Sequence, residues 1–154
     1  MNWEAISAVS EIIGALAVLI TLIYLALQIR QNTEQAKLNS IKSVNASNDS
    51  AFEPIYIPEN SIIFTKSQES YEDLSNHEKQ VFDMLMTRLI ASFDATTYQY
   101  SHRAYDENLY WGTANFYYRF ITSPGGAKWW DDYKALFSKT CVNNLEKAES
   151  YIPN

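Results

Sequence analysis

One stretch constrains this chain more than any other. From Ala5 to Ile29 it reads AISAVSEIIGALAVLITLIYLALQI, 25 residues with a single charge, Glu11. Within it the run Ile12 to Ile29 is uncharged and almost wholly apolar. As a helix that run is ~27 Å long at ~1.5 Å per residue, close to a hydrocarbon core of ~30 Å. A signal peptide would instead carry a basic first region, a shorter apolar core and a small-residue cleavage site. This chain has Glu4 in front and Gln28-Ile29-Arg30-Gln31 behind. A core helix of a soluble protein is the other alternative, and it fits poorly at this length. The expectation is an uncleaved transmembrane anchor over residues 1–30, with the lipid bilayer as its first partner.

Charge orients the anchor. No Lys or Arg precedes Ile29, whereas Arg30, Lys37 and Lys42 follow it. The positive-inside rule then sets the N-terminus outside and the rest of the chain in the cytoplasm. Trp3 and Tyr24 suit interfacial aromatic positions, and Arg30 is placed to snorkel.

The anchor also carries a pattern. Ser7, Ser10, Gly14, Ala17 and Thr21 recur at spacings of three and four, with Ile and Leu on most of the remaining surface. Helices in lipid approach one another through such small-residue faces, so this stripe is the candidate packing face, toward a second copy or another membrane subunit. Chance is its alternative, because small residues are common in spans. Glu11 flanks the stripe and is the candidate intramembrane polar site, since an ionisable group at membrane depth is costly. At the outer interface it would simply be hydrated.

Beyond the anchor the chain reads as helical. Residues 31–74 are expected to form a helical stalk and an irregular connector. Leu38, Ile41 and Val44 give the stalk a thin apolar stripe that weakens at Asn45-Ala46-Ser47-Asn48-Asp49-Ser50. Two glycosylation acceptor patterns fall in that stretch and carry no meaning on a cytoplasmic side. Pro54 and Pro58 bracket Ile55-Tyr56-Ile57, which points to a connecting segment over Phe52–Lys66 with one helical turn at Ser61–Thr65.

Residues 75–154 are expected to form four helices. Ser75 and Glu78 make a capping box ahead of a helix from Asn76 to Ser101 whose inner face is Phe82, Leu85, Leu89, Phe93, Thr96 and Tyr100. Asp106 caps the next, with Leu109, Phe116, Tyr117, Phe120 and Ile121 inward. Ser123-Pro124 opens a third, carrying Trp129, Tyr133, Leu136 and Phe137. Ser138 opens a fourth, carrying Cys141, Leu145, Ala148 and Ile152. No alternating strand pattern occurs. The fold class is all-α, a single N-terminal transmembrane helix continuing into a cytoplasmic helical bundle.

These residues also carry a resemblance. The opening Asn2-Trp3-Glu4-Ala5-Ile6, the exit Tyr24-Leu25-Ala26…Gln28-Ile29-Arg30-Gln31-Asn32-Thr33, and Ser123-Pro124-Gly125-Gly126…Trp129-Trp130 resemble a family of short bacterial single-span membrane proteins of unknown function. Phe93-Asp94…Tyr98-Gln99-Tyr100 is similar too, with Asp94 where that family tends to carry Glu. Asn76 and Lys139 stand where it often has Pro. The likeness covers most of the chain except Asn45 to Ser70. It implies a bacterial inner-membrane location and brings no activity with it.

Chemistry is sparsely represented. His77 and His102 are the only histidines, and Cys141 is the only cysteine. No H-x-x-x-H or E-x-x-H pair is present, so zinc-hydrolase and di-iron patterns are missing. There is no G-x-S-x-G and no phosphate loop. Acids outnumber bases, 18 to 12, which argues against nucleic acid as a partner. Neither a cofactor nor a metal is expected, and the chain does not read as an enzyme.

Three further features stand out. Asp94 with Tyr98 is the candidate buried polar contact, with Arg88, Arg103 and Arg119 as other possible mates. Gly125-Gly126 reads as close helix packing rather than an anion cradle. The aromatic residues exceed what a small four-helix core needs, so Trp111, Tyr118, Trp129 and Trp130 are the candidate interface for a cytoplasmic protein partner. The expected function is a membrane-anchored interaction module or accessory subunit of a membrane complex. The alternative is a homo-oligomeric channel or sensor with Glu11 near a shared axis.

Overall fold

A computed structural model describes residues 2–150. Among these residues the chain is all-α, with no strand. Helix α1 runs Trp3–Phe52, followed by a 3-10 turn at Glu53–Tyr56, then α2 (Pro58–Glu69) and α3 (Asn76–Ser101). Helix α4 spans Glu107–Thr122 and α5 Pro124–Tyr133; a 3-10 turn, Lys134–Leu136, leads to α6 (Lys139–Lys147) and a last turn, Ala148–Ser150. Contacts divide the chain into two units, Met1–Leu38 and Asn39–Asn154.

The first unit holds the apolar part of α1 and the polar turns after it, to Leu38. Its large apolar side chains from Trp3 to Ile29 are 45% to 71% exposed. An 18-residue window has mean hydropathy 2.5 and no buried residue. This helix is long and apolar enough to cross a membrane.

The second unit is a bundle whose core begins earlier than the stalk reading places it. Val44, Ala51, Phe64 and Leu74 are buried beside Phe82, Leu89, Phe93 and Tyr117. Residues 39–74 are therefore a built part of the bundle rather than stalk and connector. The expected weakening at Asn45–Ser50 does not occur, because the polar residues there find partners on α3 and α4. Nor is Phe52–Lys66 an irregular connector. Pro54 and Pro58 stand in the first turns of their helices, where a missing N–H costs nothing, so each starts a helix.

Caps set the remaining boundaries. The Ser75 hydroxyl accepts from Glu78 N while the Glu78 carboxylate accepts from Ser75 N at 2.7 Å, opening α3 at Asn76 as expected. Asp106, Ser123 and Ser138 cap α4, α5 and α6. At the end of α3, Ala104 N donates to Gln99 O and Arg103 N to Tyr100 O, a Schellman arrangement with Arg103 left-handed at φ 58°.

Two faces differ from the expectation. On α4 the buried residues are Tyr110, Ala114, Tyr117 and Ile121, while Leu109 and Phe116 are about half exposed. Tyr110 wins the interior because its hydroxyl meets Thr97 Oγ1 and Asn144 Nδ2, each at 2.9 Å, and its ring lies flat on Tyr100 at 4.0 Å. Leu136 is exposed as well, since α5 ends at Tyr133 and the following turn takes Leu136 off the helical stripe. Cys141, Leu145 and Ala148 are buried as expected; Ile152 lies outside the described residues.

Candidate functional site

On α1 the residues Ser7, Ser10, Gly14, Ala17, Thr21 and Glu11 are all exposed. The Ser10 hydroxyl donates to Ile6 O at 2.9 Å and the Thr21 hydroxyl to Ala17 O at 2.8 Å. These hydroxyls are satisfied within their own helix, which leaves the stripe smooth and small. A Cβ placed on Gly14 would meet nothing within 4 Å.

The aromatic interface expected on the bundle is overturned for Trp129 and Trp130. Trp129 is fully buried and Trp130 nearly so. Trp129 stacks on Tyr133 at 5.3 Å and Trp130 on Phe137 at 6.0 Å. Trp111 and Tyr118 are partly buried against the core, and the Tyr118 hydroxyl donates to Glu149 Oε2 at 2.9 Å. The surplus of rings is absorbed because the bundle core extends to residues 39–74. Their burial is made possible by the glycine pair before them. A Cβ on Gly125 would lie 1.7 Å from Ser67 O on α2, and one on Gly126 would lie 1.8 Å from Phe120 O on α4. The pair serves close helix packing, leaving no room for an anion.

Asp94 makes a polar contact, but it is neither buried nor with Tyr98. Its Oδ2 accepts from Ser138 N at 2.9 Å and its Oδ1 from the Ser138 hydroxyl at 2.5 Å. A carboxylate therefore sits at the N-terminus of α6, where the helix dipole favours it. Tyr98 is 67% exposed and packs its ring on His102 at 4.2 Å.

The polar contacts that position the bundle were not expected. Asn48 Oδ1 accepts from Tyr117 OH and from Ser92 Oγ, each at 3.1 Å, and Ser92 Oγ lies 2.9 Å from Ser47 Oγ. Ser40 Oγ donates to Gln99 Oε1 nearby. Arg88 Nη2 donates to Ser50 O at 2.8 Å. Together these join the end of α1 to α3 and α4. Farther along, Asp83 accepts from both Tyr71 and Tyr133 hydroxyls. Burial and the Asp83 carboxylate push the Tyr71 phenol up; the hydrogen bond to Asp83 does the same for Tyr133. A helical stretch rich in Ser and Asn amid apolar residues was the available signal, since such residues inside a helix need a reason.

The outer side of α3 is open to solvent. A groove of about 640 Å³ runs past Thr87, Ala91, Asp94, Ala95 and Tyr98, with Leu136 on its far wall. A shallower one of about 400 Å³ continues it past Met84 and Arg88. A third, on the α1 side, shares Ala91 and Ala95 and reaches Ser50 and Ala51. Among the described residues no group of three or more His, Cys, Asp or Glu could hold a metal. Burial pushes the Cys141 thiol up to about 12, so this sulfur is a packed hydrophobe, not a nucleophile. No family model, curated protein or solved structure matches the chain.

Proposed function

We propose that this chain is a single-pass protein of the bacterial inner membrane, N-terminus outside and bundle in the cytoplasm. It acts there as a non-enzymatic interaction module or as an accessory subunit of a membrane complex. The observation that carries this reading is the exposure of the large apolar side chains of α1 from Trp3 to Ile29, at 45% to 71%. A long, largely apolar helix that none of the described residues covers is matched to lipid. The distribution of Arg30, Lys37 and Lys42 supports the orientation. The resemblance to short bacterial single-span proteins supports the location. The small face of Ser7, Ser10, Gly14, Ala17 and Thr21 supports close approach of a second helix within the membrane.

The test combines topology and capture. Thr65→Cys, on the exposed side of α2, should react with an impermeant maleimide only after the membrane is opened. Gly14→Cys in native membranes should yield a homodimer or an adduct with another membrane protein. Labelling of intact cells at residue 65 would refute the orientation. Absence of any Gly14→Cys adduct would refute association through the span.

A further inference from the structure

Helix α4 runs in the same sense as the end of α1. Asn48 meets Tyr117 at 3.1 Å, and four residues on Phe52 meets Phe120 with ring centroids 6.1 Å apart. Between the two helices lies an open groove of about 450 Å³, bordered by Asn48 and Phe52 on α1 and by Leu109, Gly112 and Phe116 on α4. Leu109 and Phe116 are 46% and 47% exposed, and Gly112 is exposed between them. From Asn108 to Tyr118 the helix carries no charged residue, although a solvent-facing helix side ordinarily does. Gly112 stands mid-helix, where glycine costs stability relative to alanine, and a Cβ there would meet nothing within 4 Å. The packing of this chain therefore does not require it. A glycine on an exposed apolar face lets another backbone approach closely.

Two charges border the groove on opposite flanks. Asp49 follows Asn48 on the outer edge of α1, and Arg119 lies seven residues after Gly112, on the flank of α4 turned away from α1. Both are exposed, and neither makes an ion pair among the described residues. Because Asn48 is level with Tyr117, Asp49 and Arg119 are nearly level too. A two-fold axis along the groove, parallel to both helices, keeps each residue at its own height and crosses the flanks over. It brings Asp49 of each copy to Arg119 of the other, twice, and sets Leu109, Gly112 and Phe116 each against itself. A charge pair that complements itself is what an isologous contact requires. The same axis leaves the ends of both α1 helices running one way, as two copies anchored in one membrane require.

We infer that the groove between α1 and α4 is a homodimer interface, closed by the same face of a second copy with the two α4 helices parallel and closest at Gly112. This rests on the membrane-anchored reading above. From Asn108 to Arg119 the face is ~17 Å long at ~1.5 Å per residue, and one helix pair of that length covers less than the ~800 Å² per partner of a stable soluble interface. Confinement of both chains to one membrane supplies the effective concentration that closes the gap.

The test uses the full chain in native membranes. Leu109→Cys should form a disulfide-linked dimer under mild oxidation, because the two-fold axis sets residue 109 against itself; Thr65→Cys on α2 is the off-face control and should not. In the Leu109→Cys background, Asp49→Arg or Arg119→Asp should lower the dimer yield about tenfold, and the two together should restore it. Gly112→Leu fills open space in the single chain, so it should abolish the dimer without lowering the temperature of thermal unfolding. The inference is overturned if Leu109→Cys crosslinks no better than Thr65→Cys or gives an adduct with another protein. It is overturned equally if Gly112→Leu leaves the yield unchanged, or if a folded double charge reversal fails to restore it. A Gly14→Cys adduct without a Leu109→Cys dimer would leave the span reading standing and remove this one.

Discussion

The Tyr117 hydroxyl of α4 donates to Asn48 Oδ1 of α1 at 3.1 Å, joining residues 69 apart in sequence. Ser92 of α3 donates to the same oxygen at 3.1 Å. One amide thus gathers three helices at a point where Tyr117 is fully buried. Asn48 heads one of the two glycosylation patterns, yet it is a helical residue with its side chain engaged in the fold.

Asn48→Ala should therefore cost more than Tyr117→Phe. The first leaves two donors without their acceptor, about 1–3 kcal/mol, whereas the second removes one hydrogen bond, about 1 kcal/mol. Unfolding in mild detergent followed by near-ultraviolet circular dichroism measures both. Equal effects would mean the amide is not the hub.

The glycines separate cleanly. Gly125→Ala drives a Cβ to 1.7 Å from the Ser67 carbonyl oxygen, and backbone cannot move aside as a side chain can. A loss of about 3 kcal/mol or more is expected, with α5 displaced from α2. Gly112→Ala on α4 meets nothing within 4 Å. It should stabilise by up to about 1 kcal/mol through helix propensity alone. The two melting temperatures should move in opposite directions.

Arg103 holds the left-handed position that ends α3, φ 58°, with a side chain that disfavours it. Arg103→Gly should raise stability by about 0.5–1 kcal/mol, the relieved strain exceeding the added chain entropy. A thermal melt reads the sign directly.

Stability should fall at both ends of the pH scale. The hydrogen bond from Ser75 N, then that from Lys66, hold the Glu78 carboxyl down at about 2 from an ordinary 4.5. A depressed carboxylate stabilises the fold above its unfolded value, so this contribution is lost as pH falls from 4.5 toward 2. Burial pushes the Tyr117 phenol from 10.0 up to about 12, and the Cys141 thiol from 9.0 up to about 12. Raised acids of this kind stabilise fully below their unfolded values and lose that contribution as pH rises through roughly 9 to 12. Melting temperature against pH should show both limbs. Glu78→Gln should flatten the acid one, and Tyr117→Phe the alkaline one.

Much of the bundle is legible along the chain. Ser75, Asp106, Ser123 and Ser138 are followed by the helices their capping chemistry demands, and the Phe82–Leu85–Leu89–Phe93 stripe faces the core. These are local facts, settled within a few residues. Burial on α4 was not legible in this way. Hydropathy favours Leu109 and Phe116, yet Tyr110 is inside because Thr97 and Asn144 offer it partners from other helices. Trp129 and Trp130 read as surplus aromatics only while α2 and the end of α1 are left out of the core.

The sequence by itself determined that this is a helical chain with one segment suited to lipid, since a charge-poor run and a set of caps act through their immediate neighbours. Tertiary structure alone decided where the bundle begins, which rings it hides and which side of α3 stays open. Those outcomes depend on contacts between residues far apart in the chain, such as Asn48 with Tyr117 and Gly125 with Ser67. No local pattern encodes the partner that makes a polar residue belong inside.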